Sequence, residues 1–229
     1  MAENFDIIKI RDNHCLRKKI TVEKLVDDIE RNEIVLPVNH RKFSWSAEQI
    51  EKFFSGLTSS YGVIDWFTSF IFWSLYGDNR KNREIKFYKF IKNYPEEYPQ
   101  IDSIKLDEGD YEHSLQGVWD GQQRITALYI GLKGSYEGKK LYFNTSECIR
   151  YERETCAFEV SGGSFGIFKF LNPEEANENW FEVEKVFTYP SKCDEYDIPG
   201  EILYLWRAFK KEKIVNLQVE RFFDLEKFL

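Results

Sequence analysis

The residues whose types could do chemistry are concentrated in the run Asp-Gly-Gln-Gln-Arg at positions 120–124. The amino end of a helix carries unpaired N–H groups and a partial positive charge, so it attracts phosphate or carboxylate. Gly121 lets the backbone approach a ligand closely, because glycine has no Cβ and tolerates a positive φ. Arg124 adds a planar fork of donors that suits phosphate oxygens. The run therefore predicts an anion site.

The other side chains of this run have separate expected roles. Gln122 and Gln123 supply amide donors, and Asp120 caps the helix, holds a metal ion or orients a water molecule beside the phosphate. A purely structural interpretation also fits, in which Asp-Gly is a turn and Gln-Gln-Arg is the solvated first turn of a helix. Spacing alone slightly favours the structural interpretation.

A second basic segment lies at residues 36–45, after a predicted strand at 34–38 and before a helix that Ser46 and Gln49 open as a capping box. Its residues His40 and Arg41 could meet the same anion as Arg124. A solvated loop is the alternative, and the residues alone favour that alternative.

Three other kinds of site are excluded by spacing. The three histidines and four cysteines are scattered without the intervals of a zinc site. Residues 162–166 match the G-x-S-x-G pattern of hydrolases, but a strand pattern follows and no histidine comes after His113. The sequence also lacks the phosphate-binding loop pattern G-x-x-x-x-G-K-[ST].

The first half of the chain predicts elements that position these residues. Thr21 caps a helix, a buried strand is expected within residues 66–76, and a strand at 117–119 leads through the Asp-Gly turn into a helix at 122–133. Residues 78–114 are charged and are interpreted as an insertion. Within it, helical spacing is shared by Phe87, Phe90, Ile91 and Tyr94.

The second half predicts strands followed by helices. Residues 140–143, 156–160 and 167–171 have a strand-like composition, and the last two flank a glycine-rich loop as in a hairpin. After Pro173 the spacing becomes helical in two groups of apolar residues. These groups are Ile202, Leu205, Trp206 and Phe209, and then Val219, Phe222 and Phe223.

Composition sets limits on the partners of the chain. Its 229 residues carry a net charge of −7, which disfavours a general electrostatic grip on nucleic acid or an anionic membrane. Basic clusters at 17–19 and 210–213 fit solvated faces better than a nucleic-acid contact. No apolar stretch is long enough to cross a bilayer and no secretory signal pattern is present, so we expect a cytoplasmic protein with reduced thiols.

Residues 119–128, which read WDGQQRITAL, resemble a signature of the N-terminal domain family of GmrSD-type restriction endonucleases. That signature is Asp-Gly-Gln-Gln-Arg-Leu-Thr-Thr-Leu after a hydrophobic strand. Residues 36–50, LPVNHRKFSWSAEQI, resemble an earlier motif of the same family, in which Arg41 keeps the family residue. Three departures are His40 for glutamine, Ile125 for leucine and Ala127 for threonine.

The resemblance implies a ParB/sulfiredoxin-like α+β fold, a mixed sheet with flanking helices and a helical C-terminal part. Residues 1–229 then form a single domain that carries the charged insertion at about 78–114. The pattern runs to Leu229 without a break, which favours a fragment of a longer chain.

The resemblance also implies site roles. The expected ligand is a nucleoside triphosphate, with Mg²⁺ as a further expectation and no dedicated set of metal-ligating residues. Asp120 and Arg124 are the expected catalytic residues. The residues expected to bind the nucleotide are Gly121, Gln122, Gln123, Arg124, Arg41 and His40.

The function implied is a nucleotide-binding, NTP-hydrolysing regulatory domain of a bacterial anti-phage or modification-dependent restriction endonuclease. Expected partners are a nucleotide, DNA through a nuclease domain or partner subunit, and a second copy of the chain, but no membrane. One alternative is a non-catalytic module that senses a ligand or modified DNA and gates a partner nuclease. Another is a domain that itself cleaves DNA, and the acidic composition counts against it.

Overall fold

The structure is a computed structural model that describes residues 15–58, 69–75, 87–101, 115–152, 157–160, 167–211 and 215–220. Four α-helices are interspersed among thirteen strands in the described residues, and several short 3₁₀ turns lie in the second half. In chain order they are β1 (Cys15–Ile20), α1 (Val22–Glu30), β2 (Ile34–Pro37), α2 (Ala47–Thr58), β3 (Ser69–Leu75), β4 (Phe87–Tyr88), β5 (Asn93–Tyr94), β6 (Leu115–Asp120), α3 (Gln122–Lys133), β7 (Ser135–Tyr136), β8 (Lys140–Asn144), β9 (Cys148–Glu152), β10 (Ala157–Val160), β11 (Phe168–Leu171), β12 (Trp180–Glu182), α4 (Gly200–Trp206) and β13 (Val215–Glu220).

The main sheet has its strands in the order β1-β13-β3-β6-β2-β4. Two neighbouring pairs are parallel, β2 with β6 and β3 with β13, and the other neighbours are antiparallel. Because β2 and β6 run parallel, the loop after β2 and the helix after β6 leave the sheet at the same edge. That edge carries both candidate segments. The mixed sheet with its helices confirms the predicted α+β class.

The central helix is α3, which is buried along most of its length. Every residue from Ile125 to Leu132 is buried, and a helix that is apolar all round belongs inside a protein. Gln122, Gln123 and Arg124 at its amino end are only half-buried. The amino end of a rigidly packed helix is thus presented at the edge of the sheet.

Local signals in the sequence fix several element boundaries. The Thr21 hydroxyl accepts a hydrogen bond from the Lys24 N–H at 3.1 Å and caps α1 as predicted. The predicted capping box of α2 also forms, because the Ser46 N–H donates to Gln49 Oε1 at 2.9 Å and the Gln49 N–H donates to Ser46 Oγ at 3.3 Å. The strand, turn and helix at residues 115–133 are confirmed, and the helix ends at Gly134.

The helix predicted from Phe87 to Tyr94 is wrong. Phe87 and Tyr88 form β4 and pair with β2, and Asn93 and Tyr94 form β5 and pair with β7. Helical spacing of four apolar residues does not reveal these pairings, because both partners are distant in the sequence. Residues 87–101 of the predicted insertion therefore include a strand of the main sheet, whereas 78–86 and 102–114 lie outside the described residues.

The predicted hairpin of residues 156–171 is also wrong. β10 pairs with β9, and β11 pairs instead with β8 in a separate sheet that also contains β12. The glycine-rich loop at 161–166 lies outside the described residues.

The helical C-terminal part is confirmed in α4 and wrong beyond it. α4 continues into one π-helical turn, Arg207–Lys211, and Val219 then belongs to strand β13, which lies between β1 and β3. The predicted partners Phe222 and Phe223 lie outside the described residues. Lys210 is buried, so the solvated face expected for its basic cluster is wrong at that residue.

Candidate functional site

The turn between β6 and α3 is built on Gly121. Its φ is +92°, and a Cβ added there would lie 2.3 Å from Phe70 Cδ1, so both conformation and space require glycine. Gly121 is also the N-cap residue of α3. The prediction that Asp120 caps this helix is therefore wrong: Asp120 ends β6, and its carboxylate accepts a hydrogen bond from Arg124 Nη2 at 3.4 Å.

The amino end of α3 presents backbone donors. The Ile125 N–H donates to the Gly121 carbonyl at 2.9 Å, which is the first hydrogen bond of the helix. The N–H groups of Gln122, Gln123 and Arg124 lie ahead of that bond, and no side chain caps the helix. Such an end combines several donors with the positive end of the helix dipole, which suits an anion.

Arg124 is held at this helix end by two contacts. Its guanidinium carbon lies 5.2 Å from the centroid of the Phe70 ring, and its Nη2 atom contacts the Asp120 carboxylate. The Asp120 side chain is 63% exposed, so the ion pair is worth at most about 1 kcal/mol. The ring contact and the weak ion pair together locate the guanidinium beside the amino end of α3.

The two glutamines of the run hold the loop that follows β2. Gln122 accepts a hydrogen bond from the Arg41 N–H at 3.2 Å and donates to the Arg41 carbonyl at 2.6 Å. Gln123 donates to the Lys42 carbonyl at 3.0 Å and accepts from the Ser44 N–H at 3.0 Å. Their amide groups bind the backbone of the loop and are not aimed outward as the sequence interpretation expected.

His40 is fixed at the start of the same loop. Its Nδ1 atom lies 2.9 Å from the Pro37 carbonyl, and its ring packs against Tyr88 and Tyr98 with centroid distances of 4.9 and 4.5 Å. Because a carbonyl oxygen can only accept, Nδ1 is the donor in this contact. The ring is thus immobilised by aromatic contacts, while the neighbouring Arg41 side chain is exposed.

Tyr98 is a half-buried residue of this aromatic group, and its hydroxyl oxygen is buried. Its hydroxyl oxygen has no hydrogen-bond partner within the described residues. Burial raises the pKa of Tyr98 to about 12, and the nearby Thr126 hydroxyl and Phe43 backbone oppose this shift to a smaller extent. Tyr98 is therefore neutral near pH 7 and serves as a packing surface for His40.

The structure joins the two segments that the sequence singled out. Residues 120–124 and 40–44 lie side by side, with the glutamine amides as the link. Their roles as ligands or catalysts stay predictions. Sequence reasoning missed Ser44 and Phe70, which contact the run directly. No motif marks them, since their contacts depend on how β2, β3 and β6 are ordered in the sheet.

Few side chains among the described residues of this site could bind a metal ion. Within the described ranges, no group of three or more His, Cys, Asp or Glu side chains is arranged to hold a metal ion. Asp120 is the carboxylate beside the helix end, and it would need oxygens from a bound ligand and water to complete the shell of a hard cation.

The fold and site define an α+β domain that brings a helix amino end, an arginine over an aromatic ring and a basic loop to one edge of a mixed sheet. A family model described as the N-terminal domain of the GmrSD restriction endonuclease matches residues 22–226. The chain belongs to this family, as its motifs predicted. No curated protein matches the sequence. Within the described parts of the chain, no helix has the length and apolar character needed to cross a membrane.

Proposed function

We propose that this domain binds a nucleoside triphosphate at the amino end of α3 and hydrolyses it to regulate a restriction nuclease. The observation that carries the proposal is the convergence of three features on one sheet edge. They are a helix end without a side-chain cap, the Arg124 guanidinium over Phe70, and a basic loop fastened to that helix by Gln122 and Gln123.

The backbone would bind the phosphates in this proposal. The N–H groups of the first turn of α3 donate to phosphate oxygens, and Gly121 allows the close approach. Arg124 supplies a bidentate guanidinium, and Arg41 supplies a second positive charge from the loop. Gln122 and Gln123 act as positioning residues, because their amides hold the backbone of Arg41 and Lys42.

Asp120 has the most specific proposed chemistry. Mg²⁺ binds through one or two carboxylates together with phosphate oxygens and water, and Asp120 is an exposed carboxylate next to the phosphate position. The ion would neutralise charge on the phosphates. Asp120 would hold the ion or orient the attacking water, and Arg124 would stabilise the charge that develops on the transferred phosphoryl group.

The proposal is tested by titration calorimetry of ATP, GTP, CTP and UTP with Mg²⁺, combined with an assay of phosphate release. Arg124→Ala should weaken nucleotide binding about 10- to 150-fold, because a charged hydrogen bond contributes about 1.5–3 kcal/mol. Arg31→Ala is the matched control, since Arg31 is also ion-paired with carboxylates but lies at the end of α1. Absence of binding by all four nucleotides would contradict the proposal.

A second candidate is a sensor that binds the nucleotide without turnover. It is favoured by the hydrogen bonds of Gln122 and Gln123, because amides that are committed to the loop backbone do not orient an attacking water molecule. The two candidates differ in whether the wild type releases phosphate. Asp120→Asn should abolish phosphate release and preserve binding in the hydrolase, whereas a sensor releases no phosphate even with Asp120 intact.

A further inference from the structure

Trp119 is an exposed indole located where β6 enters the candidate site. Its exposed fraction is 49%, and it directly precedes Asp120 and the turn at Gly121. A single exposed apolar residue is common on protein surfaces and needs no explanation by itself. The position and support of this side chain, however, are specific.

A β-bulge places Trp119 outside the regular pairing of the sheet. The β3–β6 register passes from Phe72↔Val118 to Ile71↔Asp120, which leaves Trp119 as the additional residue of β6. Bulges of this kind change the direction of a side chain and are common next to active sites. The bulge thus accounts for a large ring that is turned outward immediately before the helix end.

Trp73 supports the Trp119 ring from one side. The two rings meet edge-to-face at a centroid distance of 5.9 Å and an interplanar angle of 67°. Trp73 itself lies against the backbone of Gly117, where an added Cβ would be 1.5 Å from Trp73 Nε1. Because Trp73 is buried and packed in this way, it restricts the Trp119 ring on one side, which lowers the entropic cost of binding a planar ligand on the other.

Trp119 also lies within nucleotide reach of the phosphate position. Trp119 lies two positions before Gly121, so their Cα atoms are at most about 7.6 Å apart. The neighbouring parallel strand β2 pairs with β6 at Val35↔Gly117 and ends at Pro37. Val38 follows Pro37 and is exposed. Val38 and Trp119 are thus exposed apolar residues at the ends of two strands that run parallel in the sheet.

We infer that Trp119 stacks on the base of the nucleotide whose phosphates bind at the amino end of α3. This inference rests on the proposed function and adds a second contact region to it. The ligand is a free nucleoside triphosphate, because an acidic chain offers little general attraction to polymeric nucleic acid. Stacking accepts every base, so discrimination among bases is weak, and purines bind more tightly because they cover more of the indole.

The test compares ligands with and without a base. Wild type, Trp119→Ala and Trp119→Leu are titrated with ATP and with inorganic triphosphate, each with Mg²⁺. Loss of the ring should lower the affinity for ATP about 5- to 150-fold, which corresponds to about 1–3 kcal/mol of stacking free energy. The affinity for inorganic triphosphate should change by less than twofold. Trp119→Phe keeps an aromatic ring, so its affinity for ATP should stay within about fivefold of that of the wild type.

Two controls protect this comparison. Tyr196→Ala removes another exposed aromatic ring, 80% exposed and on a different part of the chain, and should leave both affinities unchanged. Thermal unfolding of each variant checks the fold. If Trp119→Ala does not fold, Trp119→Leu carries the test, because it retains apolar volume over Trp73 and lacks a ring.

The failure of this inference differs from the failure of the proposed function. If wild type binds ATP and inorganic triphosphate equally, or if Trp119→Ala keeps its ATP affinity, base stacking is refuted while phosphate binding stands. If neither ligand binds, the proposed function fails and this inference fails with it. If a single-stranded oligonucleotide binds in a Trp119-dependent way and ATP does not, the free-nucleotide assignment is overturned.

Discussion

Gly121 is the residue that sets how close Arg124 and Phe70 can approach the helix end. We expect Gly121→Ala to lower the free energy of unfolding by about 2–4 kcal/mol, since it adds left-handed strain and a clash with the Phe70 ring. Gly138→Ala is a matched control, because Gly138 has a φ of +81° but no atom within 4 Å of the added Cβ. In Gly138→Ala the free energy of unfolding should fall by only about 1 kcal/mol, through backbone strain.

Denaturant unfolding of the two alanine variants measures this difference. The clash at Gly121 also displaces the Arg124 guanidinium, whose Nη2 atom lies 3.3 Å from the added Cβ. Any anion affinity of the site should therefore fall in Gly121→Ala and stay unchanged in Gly138→Ala. Equal losses of stability in both variants would show that Phe70 moves aside at no cost, and would contradict the tight packing described here.

Residues 120–124 were singled out from the sequence as a contiguous candidate segment, but some of the contacts predicted for them are wrong. The types of residue predicted an anion site, because glycine, arginine and a helix start are recognisable locally. The direction of the Gln122 and Gln123 amides was not recognisable, since it depends on a loop about eighty residues earlier. Asp120 fits an N-cap by residue type, but the left-handed Gly121 occupies that position.

The loop after β2 and the helix α3 form one structural unit through the two glutamines. We expect Gln122→Ala to remove the hydrogen-exchange protection of the Arg41 amide and leave that of Ser44, because only Arg41 donates to Gln122. Gln123→Ala should do the reverse. Each variant is the control for the other. If either single variant lost hydrogen-exchange protection at both amides, the loop would open as a whole and would not be held at two separate points.

Elements that depend on local signals were predicted correctly, and those that depend on long-range pairing were not. Thr21 and the Ser46–Gln49 capping box mark helix starts within a few residues. β4 exists because it pairs with β2 about fifty residues away, so its apolar spacing was misleading. β13 did carry a local signal, since the apolar residues Val215, Leu217 and Val219 alternate with polar ones, as expected for a strand.

On the scale of the whole molecule, the main sheet joins distant parts of the chain. β13, near the end of the described residues, lies between β1 and β3. Its insertion into the sheet cannot be read from the sequence, because the order of strands depends on packing against helices and not on spacing. The candidate site depends on this order, since Phe70 on β3 reaches Arg124 only because β3 is the neighbour of β6.

A buried ion pair also connects the two ends of the described chain. Lys210 Nζ, on a side chain that is 3% exposed, contacts Glu23 Oε1 at 2.7 Å and donates to the Phe187 carbonyl at 3.1 Å. The other oxygen of Glu23 accepts a hydrogen bond from Ser191 Oγ at 2.8 Å. α1, the segment 187–191 and the π-helical turn after α4 therefore meet at one carboxylate.

We expect Glu23→Gln and Lys210→Met to have unequal effects. Glu23→Gln leaves a buried ammonium without its counter-charge and should lower the free energy of unfolding by about 2–4 kcal/mol. Lys210→Met removes the buried charge and fills its space with an apolar side chain. The Glu23 carboxylate, which is 24% exposed, keeps its hydrogen bond from Ser191 and its contact with solvent. This variant should therefore lower the free energy of unfolding by less than about 1.5 kcal/mol. In denaturant unfolding, the double variant should be more stable than Glu23→Gln alone. Equal losses from the two single variants would mean that the pair is solvated, and that apolar packing alone holds the first helix against the C-terminal segment.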